Sequence, residues 1–128
     1  MNGNEYQRFS MRTNDGASTE RLQDRLYDFG FMGSDIDFGG ILNASLGLSG
    51  EVGELNDMIK KWIFHEKEMD WTHLKKELGD VCWYIAMMCE SIGWSLDDVL
   101  QLNVDKLKSR YPEGFDPDRS AHRKEGDV

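Results

Sequence analysis

The fold is decided by two stretches that read alike, LSGEVGEL at residues 48–55 and LKKELGDV at residues 74–81. Both place leucine, glutamate, an aliphatic residue, glycine, a carboxylate and a second aliphatic residue at matching positions. Each lies inside a longer segment whose apolar residues recur at helical spacing, at residues 41–64 and 72–92. The two stretches therefore predict neighbouring amphipathic helices that carry the same polar pattern.

Further helices are predicted on either side of this pair, and no alternating strand pattern is found in the sequence. Two short helices are expected at residues 5–13 and 18–29, followed by a loop rich in glycine and aspartate at residues 30–40. Another helix is expected at residues 95–110, and residues 116–128 are predicted to be a frayed, polar tail. The predicted class is all-α, a bundle of four or five helices.

The length and composition predict one domain with an acidic surface. The chain has 128 residues, of which 39% are hydrophobic and 30% are charged, and single domains cluster near this size. Fifteen Lys and Arg against 24 Asp and Glu give a net charge of −9, which argues against an extended nucleic-acid interface. We expect one domain over residues 1–115, with its core at residues 41–111.

The sequence favours a cytoplasmic protein that is not inserted in a membrane. No apolar run approaches the roughly 20 residues of a membrane span, and residues 1–6 lack the pattern of a secretory signal. Cys82 and Cys89 lie in an apolar stretch and are predicted to be reduced core residues. Secreted scaffolds held together by disulfides are therefore excluded.

Each of the two matching helices carries a pair of carboxylates at the edge of its apolar stripe. At roughly 100° per residue, Glu51 and Glu77 both lie at about 300° from the leading leucine, and Glu54 and Asp80 at about 240°. Burying ionised carboxylates without a partner costs several kcal/mol each. A solvated flank explains one such pair, and basic side chains could compensate a buried one. Two pairs in matching phase favour a hard divalent cation such as Mg²⁺.

The last long helix places polar residues on its core-facing side. Asn103, Lys106 and Arg110 lie along the apolar stripe that starts at Leu96. An amide and two cations in this position suit an anionic ligand. The alternative is that the two cations extend to solvent or pair with the glutamates of the other helices.

Two residues are weaker candidates for ligand contacts. Lys61 lies beside Glu54 on the helical wheel and could reach a phosphate, although a surface lysine is equally expected. Tyr84 follows Asp80 by one turn and could hydrogen-bond a ligand, although a core tyrosine is the simpler interpretation.

Glycines and histidines of the helices are predicted to have structural roles. Glycine inside a helix costs about 1 kcal/mol relative to alanine, so we expect close helix–helix approach at Gly47, Gly50, Gly53 and Gly79. His65 and His73 are expected to interact with helix ends rather than with a metal.

The paired carboxylates also occur in a known order. GEVGE at residues 50–54 followed by ELGDVCWY at residues 77–84 resembles the E-x-x-E…E-x-x-D signature of the MazG-like nucleotide pyrophosphohydrolases, in the all-α NTP pyrophosphatase superfamily. The segment NVDKLKSRYPEGF at residues 103–115 is also similar to that family. The resemblance covers about residues 41–115, and the opening residues 4–7 look like the family's first helix.

The resemblance implies a fold, an activity and a set of site residues. The fold is a four-helix bundle, here with additional short N-terminal helices, and the activity is Mg²⁺-dependent hydrolysis of nucleoside triphosphates to monophosphate and pyrophosphate. Mn²⁺ suits the same oxygen donors and could substitute for Mg²⁺. The implied metal ligands are Glu51, Glu54, Glu77 and Asp80, and the implied triphosphate contacts are Asn103, Lys106, Arg110 and Tyr111. We expect Glu51 to accept the proton of the attacking water, with Glu54 as its competitor.

Two other functions stay open at this point. One is a base-specific relative, such as a dUTP- or dCTP-directed hydrolase or a phosphoribosyl-ATP pyrophosphohydrolase. The other is a catalytically silent helical module that binds a nucleotide or a protein. A homodimer or homotetramer is expected in each case, because family members commonly assemble so and because the helices have broad apolar faces. Trp83, opposite the apolar stripe, is the candidate interface residue.

Overall fold

A computed structural model describes residues 1–30, 35–123 and 126 of the chain. This part of the chain contains six α-helices, a short 3₁₀ turn at Met11–Thr13 and no β-strand, which confirms the all-α class. The helices are α1 (Gly3–Ser10), α2 (Ser18–Gly30), α3 (Phe38–Phe64), α4 (Trp71–Ile92), α5 (Leu96–Arg110) and α6 (Pro117–Ala121). No helix in the described ranges is long and apolar enough to cross a membrane.

The two longest helices, α3 and α4, form an antiparallel hairpin that contains most of the tertiary packing. The start of α3 is tied to the end of α4 by the backbone N–H of Asp37, which donates to the carbonyl oxygen of Ser91 at 2.8 Å. The Asp37 side chain also accepts from the N–H of Gly40 at 2.9 Å, so it caps α3. This cap explains why α3 begins at Phe38, inside the segment expected to be a loop.

The ends of α4 follow ordinary capping chemistry. Asp70 accepts hydrogen bonds from the backbone N–H groups of Thr72 and His73, at 3.0 and 2.9 Å. Gly93 ends the helix in the left-handed conformation, with φ of 78°, which glycine adopts without steric cost. The helix predicted from the apolar spacing of residues 72–92 is therefore confirmed, as Trp71–Ile92.

The hairpin is closely packed at few points. Ala44 of α3 and Cys89 of α4 are its buried hydrophobic residues within the described chain. A Cβ added at Gly47 would overlap the ring of Tyr84, so close approach explains this glycine, as predicted. The same explanation was wrong for the three other glycines for which it was predicted, because a Cβ would meet nothing within 4 Å at Gly50, Gly53 or Gly79. The prediction of a core position was also wrong for Cys82, which is exposed.

The remaining helices are attached to the hairpin loosely. α2 contacts α3, and the rings of Phe29 and Phe38 stack there at 5.8 Å. In contrast, α5 makes no more than marginal contact with any other described helix. Its apolar side chains are largely exposed: Leu96, Leu100, Leu102, Val104 and Leu107.

The carboxyl-terminal segment is more ordered than its polarity indicates. Asp116 accepts from the N–H groups of Asp118 and Arg119, at 2.9 and 3.3 Å, and Pro117 occupies the first turn of α6. The expectation of a frayed segment was therefore wrong for residues 117–121. The expected domain boundary after residue 115 stays a prediction, and residues 31–34 of the expected loop lie outside the described residues.

Candidate metal centre and its surroundings

Three carboxylates from α3 and α4 meet on one side of the hairpin. Glu51 comes from the middle of α3, and Glu77 and Asp80 come from the first half of α4, one helical turn apart. Each offers one oxygen, and these three oxygens lie within 4.8 Å of one another. Glu77 is only 7% exposed, Glu51 is half-buried and Asp80 is exposed. We call these three residues the carboxylate cluster.

The cluster concentrates negative charge, and Glu51 shows the effect. Burial is the largest cause that raises the pKa of its carboxyl above the ordinary value, because the charged form loses water. Repulsion from Glu54, Asp80 and Glu77 and a hydrogen bond with Glu77 raise this pKa further. A positive charge among these oxygens would relieve the repulsion. The donor set therefore fits a hard divalent cation, which favours carboxylate oxygens.

His73 contacts the buried member of the cluster. Its Nε2 lies 2.6 Å from Oε1 of Glu77, one turn further along α4. The expected contact with a helix end is made by the His73 backbone N–H, which donates to Asp70, whereas the ring faces Glu77. Sequence reasoning missed this side-chain contact. The signal was present in the spacing of four residues, which places the two side chains on one helix face.

A cavity of about 450 Å³ adjoins the cluster, between the second half of α3, the following loop and the start of α4. We call it the α3–α4 cavity. Its charged and aromatic lining includes Glu54, Asp57, Lys61, Trp62, Lys67, His73 and Glu77. Glu54 is thus beside the cluster, although it does not belong to the three converging oxygens.

Lys61, for which a phosphate contact and a surface position were equally expected, lines the α3–α4 cavity together with Glu54. Its ammonium group forms an ion pair with Asp57, which Lys60 also contacts at 2.9 Å. Hydrogen bonds from Lys61 and then Lys60 lower the pKa of Asp57 to about 2. A ligand that uses Lys61 therefore competes with this carboxylate.

The predicted phosphate contacts on α5 occupy another place. Asn103 and Lys106 line a second cavity, of about 490 Å³, together with Trp94 and Val99. The structure thus brings Glu51, Glu77 and Asp80 together but does not bring the α5 residues into the α3–α4 cavity.

Three other predicted site residues make aromatic contacts. The guanidinium of Arg110 lies 6.0 Å from the ring centre of Tyr111, and that ring lies 5.6 Å from Phe115. Tyr84 is half-buried, and its ring meets Trp83 edge-on at 4.9 Å. Ligand contacts by all three stay predictions.

Comparison with known families matches residues 41–115, more than half of the chain, to the MazG nucleotide pyrophosphohydrolase domain. The chain belongs to the MazG family. The matched segment contains the whole carboxylate cluster, Glu54 and all of α4 and α5. The resemblance stated from the sequence motifs is thereby confirmed.

The chain is also similar to a curated phage protein. Over 80 residues the chain is 38% identical to the "Gene 37 protein" of Mycobacterium phage L5. The aligned residues cover 59% of this chain and 69% of the phage protein. No solved structure gives a significant match to the chain.

Proposed function

We propose that this MazG domain hydrolyses nucleoside triphosphates to nucleoside monophosphate and pyrophosphate, with Mg²⁺ held by the carboxylates. The observation that carries the proposal is the meeting of Glu51, Glu77 and Asp80 oxygens within 4.8 Å, inside the segment that matches the family. Glu54, one turn from Glu51, completes the proposed ligand set. Mn²⁺ would suit the same donors.

The charge of the site supports a metal-assisted reaction. Attack on a polyphosphate is resisted by its negative charge, and Mg²⁺, when bound, neutralises that charge and orients the phosphates. Without a cation, a triphosphate would meet a cluster that already raises the pKa of one of its own carboxyls. A metal held by the carboxylates is therefore needed before the triphosphate can lie beside them.

The proton of the attacking water needs an acceptor, and the two glutamates of α3 are the candidates. Glu51 is half-buried and contributes one of the three converging oxygens, so its carboxylate lies next to a water on the proposed metal. Glu54 lies outside the three converging oxygens, which leaves its carboxylate freer to bind a water. We place Glu51 first and Glu54 second.

The proposed substrate contacts come from two parts of the chain. Lys61 in the α3–α4 cavity and Tyr84, one turn beyond Asp80, lie on the hairpin. Asn103 and Lys106 lie on α5 and line the cavity beside it. Arg110 is the last residue of α5, and Tyr111 follows it. In a homodimer or homotetramer, α5 of one copy could cover apolar surface of another and approach its carboxylates.

A nucleotide panel tests the proposal. The protein is incubated with the common (d)NTPs and Mg²⁺, and the products are separated by ion-exchange chromatography. We expect nucleoside monophosphate and pyrophosphate, and nucleoside diphosphate with orthophosphate would refute the proposed cleavage site. Turnover of dUTP or dCTP alone would identify a base-specific relative, and phosphoribosyl-ATP is added to the panel for the same reason. No turnover with any nucleotide would favour the silent binding module.

A further inference from the structure

We infer that His73 is a positioning residue that holds the buried Glu77 carboxylate in place for metal binding. The inference rests on the proposed metal centre, because it concerns a neighbour of one of its ligands. It assigns a role to a side chain outside the three converging oxygens, on the rim of the α3–α4 cavity.

The contact itself fixes which group donates. The Nε2 atom of His73 lies 2.6 Å from Oε1 of Glu77. An ionised carboxylate only accepts hydrogen bonds, so Nε2 must carry the proton and donate it. Hydrogen bonds to charged acceptors are shorter and stronger than those between neutral groups, in agreement with this distance.

Burial distinguishes this pair from an ordinary surface pair. The Glu77 side chain is 9% exposed and that of His73 is 55% exposed. The chain contains a matched pair at the same spacing at the end of α6, where Nδ1 of His122 lies 3.0 Å from Asp118 and the side chains are 79% and 85% exposed. Water can replace His122 at Asp118. It has little access to Glu77, so His73 is needed there to satisfy and orient the carboxylate.

His73 is itself held in position. Its backbone N–H donates to Asp70 at 2.9 Å in the first turn of α4, which fixes the base of the side chain. The ring then spans one turn to Glu77, and Glu77 lies beside Glu51 across the hairpin. A side chain that hydrogen-bonds a metal-ligating carboxylate usually orients that carboxylate. Loss of such a side chain typically weakens metal affinity by about 10- to 100-fold.

The test compares His73→Gln with His73→Met. These side chains are similar in length, but only glutamine offers an N–H donor to Glu77. Mn²⁺ is titrated into each variant of the full chain, and the free ion is measured by electron paramagnetic resonance. We expect the Kd for Mn²⁺ to rise about tenfold or more in His73→Met and to stay near the unsubstituted value in His73→Gln. His122→Ala is the matched control and should leave the Kd unchanged.

Thermal melting in EDTA accompanies each titration, so that a loss of fold is separated from a loss of ligand orientation. Should His73→Met not fold, His73→Ala replaces it. Equal Mn²⁺ affinity in the donor and non-donor variants would overturn the inference.

The nucleotide panel separates this inference from the proposed function. Turnover with a Kd for Mn²⁺ that is indifferent to residue 73 would refute the role of His73 alone. Mn²⁺ binding that depends on residue 73, without hydrolysis of any nucleotide, would refute the proposed reaction and leave the positioning role intact. A chain that binds no Mn²⁺ would refute both.

Discussion

Glu51 combines partial burial with repulsion from three other carboxylates, and both raise its pKa. The folded state therefore holds this proton more tightly than the unfolded chain does. The contribution of Glu51 to stability is present below the ordinary pKa of 4.5 and falls as the pH rises through the raised value. At neutral pH the metal-free cluster destabilises the hairpin, and a bound cation would remove that effect.

Glu51→Gln should separate these two effects. We expect kcat to fall on the order of 100-fold or more, because the proposed base is lost. We also expect the metal-free melting temperature at pH 7 to rise, because one repelling charge is removed. The measurements are pyrophosphate release and thermal melting in EDTA, with the exposed Glu90→Gln on α4 as the control. Unchanged turnover in Glu51→Gln would contradict the assigned role.

Asp57 should show the opposite pH behaviour. Its pKa in the folded state is about 2 against an ordinary 3.8, so its stabilising effect is complete above 3.8 and is lost as the pH falls towards 2. Asp57→Asn is therefore expected to lower stability at pH 6 and to leave it nearly unchanged at pH 2. Urea unfolding at both pH values measures this. An equal loss of stability at both values would show that the ion pairs with Lys61 and Lys60 are not its cause.

At the scale of elements, α3 and α4 approach closely at two glycines of α3: Gly40, where a Cβ would overlap Ser91, and Gly47. The Tyr84 ring lies over Gly47, where no side chain fits without displacing it. The exposed Gly50 lies one turn further along α3 and has open space at its Cβ position. Packing therefore requires a glycine at Gly47 but not at Gly50. The helical wheel alone does not distinguish these two positions.

Alanine at these two positions should have effects of opposite sign. Gly47→Ala is expected to destabilise the protein by about 1–3 kcal/mol, because the new methyl group forces Tyr84 to move. Gly50→Ala is expected to stabilise it by about 0.5–1 kcal/mol, through higher helix propensity. Urea unfolding gives both values. A stabilising Gly47→Ala would show that Tyr84 moves aside without cost.

The helices and the carboxylate cluster were predictable because they depend on local patterns. The apolar period, the Asp70 cap and Gly93 defined α4, and the repeated carboxylate pairs predicted the meeting of Glu51 with Glu77. The start of α6 was also encoded, by Asp116 and Pro117, but the polarity of the segment masked it. The surroundings of α5 were not predictable, since an apolar stripe shows that a face is to be covered and not what covers it.

At the scale of the whole molecule, the described chain leaves an unusual amount of apolar side chain exposed. Trp83 is 58% exposed, Leu46 is 74% exposed and Leu102 is 70% exposed. These residues lie on α3, α4 and α5, so the exposed apolar surface extends over every long helix. Surfaces of this kind mark interaction sites in soluble proteins. The expected homodimer or homotetramer would cover them.

Trp83→Asp is expected to disrupt that assembly. A buried, unpaired carboxylate at an interface is strongly unfavourable, so the variant should sediment as a smaller species than the unsubstituted chain at equal concentration. Tyr6→Asp is the control, since Tyr6 is 63% exposed on α1, outside the segment that matches the family. Sedimentation velocity measures both. A monomeric unsubstituted chain at micromolar concentration would contradict the expected assembly.

Within the described ranges, α5 makes only marginal contact with the other helices, and this has a consequence for how the protein behaves at different concentrations. A 15-residue helix with little tertiary support is marginal in water. On dilution to single subunits, α5 is expected to unwind first, and its amide protons to exchange with solvent faster than those of the hairpin. Assembly of the expected oligomer would then also fold α5. The proposed nucleotide turnover per chain should therefore rise steeply with protein concentration.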